Sequence, residues 1–260
     1  MITASLKNKQ NQTVNLNGQP GKFQLFKITG LDPGNAVINS TAIAGMDGTR
    51  FNSARLNNRQ IVIYLKLEGD PEAARRELYS KFPNKAEVTL TVTTFTTASI
   101  TGHVSGISCG TFDQKEILQM SILCDDPYFY GPATETGGTW NTESKEIIVV
   151  NNGDAGAGFI LQVAYDGQVG GTEFTLSTGT GFMQFDFPAE CETGQFTIDT
   201  INETFTINEI SVPGLIDGVP LLKFGSTFPK LGAGENTIIF TNQQADFVAR
   251  FEVPTKIGGM

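Results

Sequence analysis

Apolar residues fall on alternate positions along much of the chain, and a two-residue period marks strands with one buried face. Segments 23–28, 36–44, 86–95, 99–107 and 117–124 carry it, and 1–17 alternates loosely enough to be a strand. In 117–124, Leu118, Met120 and Ile122 fall on one face and Gln119 and Ser121 on the other. Residues 60–68 open with the near-continuous apolar run Ile61-Val62-Ile63-Tyr64-Leu65 and read as a core strand. Turn chemistry separates these runs: Gly30, Asp32, Pro33 and Gly34 in one stretch, and the Asp47-Gly48 pair, a strong short-range hairpin signal, in another.

One segment changes period. Asp70 is suited to cap a helix, Pro71 to its first position and Glu72 to its first turn. Ala74, Leu78 and Phe82 follow at a spacing of four and form a single apolar stripe; Pro83 ends the helix. The stripe predicts a helix that covers one sheet.

From about residue 132 the pattern is one of short strands alone: 146–151, 158–165, 172–177, 182–187, 194–199, 204–210, 220–224, 236–241 and 247–253. Turn clusters at regular intervals and no helical period predict an antiparallel β-sandwich. The stretch from Asp125 to Pro132, with two prolines, a glycine and three aromatics, reads as a packed corner. A domain boundary is placed there, giving 1–132 and 133–260, with a return of the last residues to the first domain left open.

Charge supports that division. The chain of 260 residues has a net charge of −9. Residues 1–130 hold 13 basic and 11 acidic side chains, and residues 131–260 hold 5 and 16. A second half this acidic has no clustered cations with which to grip phosphates. The 29 glycines and 19 phenylalanines agree with a β-rich chain, since Gly supplies turns and Phe fits a pleated, half-buried surface. Three cysteines without a C-x-x-C pair argue against a disulfide framework and against a zinc site. The first residues show no signal-peptide pattern, and no apolar run approaches the ~20 residues of a membrane-spanning helix. Synthesis in the cytoplasm without membrane insertion is the expectation, and the three Asn-x-Ser/Thr sequons then carry no meaning.

Little catalytic chemistry is in view. Gly106-Ile107-Ser108-Cys109-Gly110 matches the nucleophile-elbow pattern, which requires a histidine later in the chain and a helix directly after the serine. The one histidine, His103, comes five residues before Ser108, and Thr111-Phe112-Asp113 does not start a helix. Gly153 to Gly158 is glycine-rich after a strand but lacks the Gly-Lys-Ser/Thr ending of a phosphate loop, so a β-turn loop is the reading. No catalytic residue, metal ligand or cofactor is assigned. Trp140, Tyr165 and Tyr128 are the candidates for stacking on a sugar, with core or corner packing as the competing explanation.

In order along the first half stand Ile28-Thr29-Gly30-Leu31-Asp32-Pro33, Met46-Asp47-Gly48, Arg59-Gln60-Ile61-Val62-Ile63, Gly69-Asp70-Pro71-Glu72-Ala73-Ala74, Ile100-Thr101-Gly102-His103-Val104 and Cys124-Asp125-Asp126-Pro127-Tyr128-Phe129. This order and spacing resembles the distal tail protein (Dit) family of long-tailed bacteriophages. Asn151 to Ala155, Phe196 to Thr200 and Leu231 to Ile238 add softer likeness. The resemblance implies a mainly β protein: an N-terminal β-sandwich or split barrel with one helix and an extended arm, then a galectin-like antiparallel sandwich. It implies a non-enzymatic virion protein at the distal end of the tail, assembled in the host cytoplasm. The expected state is a homohexameric ring, and the expected partners are the tail-tube protein, the tape-measure protein and the tail-tip hub or receptor-binding protein. The resemblance further implies that DNA passes through the ring without specific binding. A tail-tube subunit and a carbohydrate-binding tail module are the alternatives. Within this frame residues 43–59, polar and built around the Asp-Gly turn, are the candidate inter-subunit arm, with Asp47, Gly48, Arg50, Phe51, Arg55 and Arg59 as its residues. Asp70, Pro71, Ala74, Leu78 and Phe82 serve helix start and packing, and Pro127, Tyr128 and Phe129 form the domain corner.

Overall fold

The structure is a computed structural model, and it describes residues 2–17, 22–110, 117–141, 145–167, 169, 173–187, 191–209, 214–241 and 246–260. It divides into two compact units, Met1–Gly131 with Ile257–Met260, and Pro132–Lys256. Among the described residues no helix is long and apolar enough to cross a membrane.

Unit 1 contains β1 (Thr3–Asn8), β2 (Thr13–Asn15), β3 (Phe23–Thr29), β4 (Ala36–Ala42), β5 (Thr49–Leu56), β6 (Arg59–Leu67), α1 (Pro71–Lys81), β7 (Glu87–Thr93), β8 (Thr97–Cys109), β9 (Ile117–Cys124) and β10 (Phe129–Tyr130). Its main sheet is antiparallel in the order β2-β1-β7-β8-β9-β6-β3. The inward side chains of β1, β6, β7, β8 and β9 alternate with outward ones and make one core, with Ile61, Ile63, Leu65, Leu90, Met120 and Ile122 fully or almost fully buried. The helix closes that core through Ala74, Leu78 and Phe82, all 0% exposed. Asp70 caps it by accepting from the Ala73 amide at 3.1 Å, and Pro71 stands at its first position, where no amide is needed. The loose alternation of 1–17 resolves into two strands, β1 and β2, joined by a turn in which Asn11 takes a positive φ of 63°.

The outward face of β7 and β8 is a ladder of hydroxyls. Thr89 faces Thr101 at 2.9 Å, Thr91 faces Ser99 at 2.8 Å and Thr93 faces Thr97 at 2.9 Å. Gly102 lies in the next position, where β8 passes close to β9. A Cβ there would stand 2.5 Å from the Leu123 carbonyl oxygen and 2.7 Å from Cys124 Sγ. Gly102→Ala is therefore expected to cost unit 1 about 2 kcal/mol, because backbone must shift to admit one methyl. Chemical denaturation of the full chain checks it, and a cost within ~0.5 kcal/mol, the range of a neutral surface change, would contradict that tight approach.

Unit 2 contains β11 (Thr134–Trp140), β12 (Glu146–Asn151), β13 (Ile160–Asp166), β14 (Glu173–Thr178), β15 (Gly181–Asp186), β16 (Thr193–Asp199), β17 (Thr204–Glu209), β18 (Leu215–Asp217), β19 (Gly234–Thr241) and β20 (Asp246–Val253). They form two antiparallel sheets, β11-β20-β13-β16-β17-β18 and β12-β19-β14-β15. Their inner faces share one core dense in aromatic rings. Phe174 stacks on Phe240 at 5.4 Å, and Phe185 lies 4.8 Å from Phe205. This is where much of the phenylalanine content goes. The expected strand at 220–224 is instead a single 3-10 turn, Val219–Leu221, since Pro220 has no amide to give a ladder. Two strands, β11 and β18, were not expected. β11 has no large apolar residue before Trp140 at its end, and β18 is only three residues long.

Candidate assembly surface

The segment with the least partner structure in unit 1 is the hairpin β4–β5. Its two strands pair with each other and, among the described residues, with no other strand. The register runs from Ala36 opposite Leu56 to Ala42 opposite Thr49, with a bulge between Asn39 and Ser40. Gly45 and Gly48 take positive φ values of 79° and 92° in the connecting turn, conformations that other residues adopt only at a cost.

The register sorts the side chains onto two faces. Ala36, Ile38, Ser40 and Ala42 share one face with Leu56, Ala54, Phe51 and Thr49, and that face is mostly apolar. Val37, Asn39 and Thr41 share the other with Arg55, Ser53 and Arg50, and the Asn52 side chain donates to Thr41 Oγ1 there at 2.6 Å. The apolar face is in solvent: Ile38 is 66% exposed, Phe51 62% and Met46, in the turn, 67%. An isolated two-stranded hairpin is at best marginally stable in water, and its unpaired edges invite another chain. A bare apolar face on such a hairpin marks a surface made to be covered. Phe26, 67% exposed at a bulge in edge strand β3, adds a further apolar group to unit 1's surface.

The candidate arm residues separate on this frame. Asp47 and Gly48 lie in the turn, Phe51 on the apolar face, and Arg50 and Arg55 on the polar face. The hairpin begins at Ala36, seven residues before the expected 43–59, and ends at Leu56. Arg59 does not belong to it. It opens β6, is 4% exposed, and its guanidinium is held by main-chain carbonyls: Nε donates to Pro127 at 2.6 Å, and Nη1 to Gly30 at 2.9 Å and Asp32 at 2.7 Å. Nη2 donates to Gly258. The cation also lies 4.8 Å from the ring centre of buried Phe129. Burial lowers its affinity for the proton, offset in part by Cys124 and Asp32. The neighbouring Cys124 thiol is pushed up to about 11, by burial first and against the pull of Arg59. Pro127 and Phe129 thus form the floor under Arg59, while the Tyr128 amide donates to Asp126 at 3.1 Å. Asp126 also accepts from the Tyr130 hydroxyl at 2.5 Å, and burial with that bond raises the phenol's pKa.

Sequence reasoning passed over Val37, Ile38 and Phe26. Ile38 falls on the alternation of 36–44, but a period does not say whether its apolar face meets a core or solvent.

His103 and Ser108 lie on one strand, β8, separated along it by roughly 16 Å at the usual rise. His103 points outward, with Glu87 and Leu123 opposite it in the sheet. The segment after Cys109 that would have to begin a helix, 111–116, lies outside the described residues. No group of three or more metal-ligating side chains occurs among the described residues. Of the stacking candidates, Trp140 is 0% and Tyr165 3% exposed. The Tyr165 hydroxyl donates to Glu209 at 2.6 Å, and burial together with that bond raises the phenol's pKa.

No protein-family model matches the sequence, and no curated protein matches it. Solved structures do. The Dit protein (gp 19.1) of phage SPP1 superposes with a TM-score of 0.72 at 18% identity, covering 97% of this chain and 98% of that one. Two phage p2 baseplate structures in the activated conformation, with Sr and with Ca, reach a TM-score of 0.48 at 12% and 10% identity over 100% of both chains, too low to carry an argument. Over nearly its whole length, then, this chain has the fold of the SPP1 Dit protein.

Proposed function

We propose that this chain is a structural, non-enzymatic component of a phage tail tip, where six copies form a ring through unit 1. The observation that carries the proposal is the β4–β5 hairpin. Its apolar face, with Ile38 and Phe51 in solvent, needs a second surface, and a neighbouring copy supplies one at every position of a closed ring. The fold is that of SPP1 Dit, which is described as a paradigm of the hub adsorption apparatus in phages infecting Gram-positive bacteria. On this reading the ring joins the tail tube and tape-measure protein to the hub or receptor-binding protein, and DNA leaves through its bore. Unit 2, as a galectin-like sandwich, stands outside the ring contacts.

Native mass spectrometry tests the reading. The wild-type chain is expected as a hexamer at roughly ten to a hundred micromolar, concentrations that populate a complex of about micromolar affinity. Replacing Ile38 and Phe51 together by Asp puts two charges in the contact and is expected to leave only monomer, with the monomer still folded, since both side chains are exposed in it. A hexamer that survives the double substitution removes the hairpin from the interface. Long open polymers of the wild type make the chain a tube subunit instead.

A further inference from the structure

The hairpin leaves unit 1 by two short connections, and both converge on one buried cation. Residues 30–35 lead into β4, and Asn57 and Asn58 lead from β5 to Arg59. The two connections are tied to each other by the Asn57 amide, which donates to the Asn35 carbonyl at 3.1 Å. Arg59 holds the first connection through the carbonyls of Gly30 and Asp32. It also lies near that backbone closer to the hairpin: a Cβ on Gly34 would be in ordinary contact with Nη2 at 3.5 Å. Gly30 itself has a φ of 89°, and a Cβ there would stand 2.2 Å from the Gln60 carbonyl oxygen, so this bend has no slack.

A third segment closes the arrangement. Nη2 of Arg59 donates to the carbonyl of Gly258, 199 positions away in sequence. Beyond it the chain stays on the same connection. The Met260 amide donates to the Leu31 carbonyl at 2.8 Å, and the Gly259 backbone sits so close to Pro33 that a Cβ would be 2.7 Å from its N and Cδ. Residues 30–34 are therefore gripped by Arg59 and by 258–260, and Arg59 grips 258–260 as well. The segment itself is half-exposed, unlike the strands of the core. Segments held by a few bonds at a surface open at lower free energy than a core does.

We propose that residues 258–260 are a strap that, locked onto Arg59, fixes the direction in which the hairpin arm leaves unit 1, making Arg59 a positioning residue for subunit assembly. The consequence for assembly rests on the ring reading; the strap's effect on the arm does not. A ring closes only if each arm leaves its own subunit at a fixed angle, because a small angular error accumulates over the copies. Unit 2 ends at Lys256 and the chain re-enters unit 1 at Ile257, one residue before the strap.

Hydrogen exchange on the full-length protein tests this with two variants: Gly259→Ala, which pushes the strap away from Pro33, and a chain lacking residues 258–260. In both, protection of the Asn57 amide and of the β4 and β5 amides is expected to fall about tenfold or more, the scale of one charge-assisted hydrogen bond, while β7, β8 and β9 keep theirs. The concentration at which rings dissociate is expected to rise by at least a similar factor. Unchanged protection of the Asn57 amide and of β4 and β5 overturns the strap, as does a loss spread evenly over β6 to β9, which would make 258–260 ordinary core. Rings of unchanged stability in loosened variants overturn the positioning role. A wild type that forms no ring at all defeats the ring reading, and the exchange result on the monomer still decides the strap.

Discussion

Trp140→Ala is expected to destabilise unit 2 by about 3–5 kcal/mol, the range for removing a fully buried large aromatic. Trp140 ends β11 at 0% exposure, stacked on Phe240 at 5.0 Å and edge-on to Phe251 at 5.7 Å. Phe240 in turn stacks on Phe174. The hole left by the indole opens at one end of a row of rings whose strands are fixed by two sheets, so little collapse can fill it. Trp140→Phe should behave differently. Among the described residues the buried indole Nε1–H has no hydrogen-bond partner, so phenylalanine loses contact area but also removes that donor. Its expected cost is only about 1–2 kcal/mol. Hydrogen exchange of β12 and β19 amides, with calorimetry of the full chain, reads both variants without using tryptophan fluorescence. An alanine variant within ~1 kcal/mol of wild type would mean that the ring is not a core element. Only that result would return Trp140 to the sugar-stacking candidates.

The strands of unit 2 were legible because alternation is a local signal and each strand has one face against the core. The ladder β13-β16-β17 follows it residue by residue, with Leu161, Phe196 and Ile207 inward and Gln162, Gln195 and Asn208 outward. The helix was legible for a similar reason, since cap, proline and stripe all lie within thirteen residues. The β4–β5 hairpin was half legible. Its Asp-Gly turn is explicit, whereas Thr49–Leu56 contains polar and small residues that hide a strand. An uncovered face looks the same in sequence as a covered one.

Arg59 was misread for a different reason. An arginine beside Asn57 and Asn58 has the composition of a solvated loop, and arginine is seldom fully buried without a partner. Its partners here are carbonyls, which every residue possesses, so no side-chain pattern announces them. Two of them, on Pro127 and Gly258, lie 68 and 199 positions away. A buried cation solvated by backbone dipoles leaves only one trace in sequence, the turn-forming glycines and prolines that bring those carbonyls together.

Arg59→Met is accordingly expected to cost unit 1 about 3–5 kcal/mol, the scale for dismantling a buried charge site by removing one side of it. Methionine has nearly the right length and keeps an apolar contact with Phe129, so lost packing contributes little. What remains is four carbonyls turned toward a thioether that can donate to none of them. Removing the buried charge itself returns some stability, which keeps the expected cost below the sum of four lost bonds. Arg59→Lys should recover roughly half, since an ammonium has three donors but lacks the planar fork that reaches carbonyls on several sides at once. Urea denaturation of the full chain, with exchange on β6 and β9 to assign the loss to unit 1, measures both. If methionine costs less than ~1 kcal/mol, water already satisfies those carbonyls and the guanidinium is a surface group. If lysine equals arginine, charge alone holds the site and the geometry of the fork is irrelevant. The intermediate result separates these: a guanidinium whose several directions of donation hold Gly30, Asp32, Pro127 and Gly258 in one place, which a point charge cannot do.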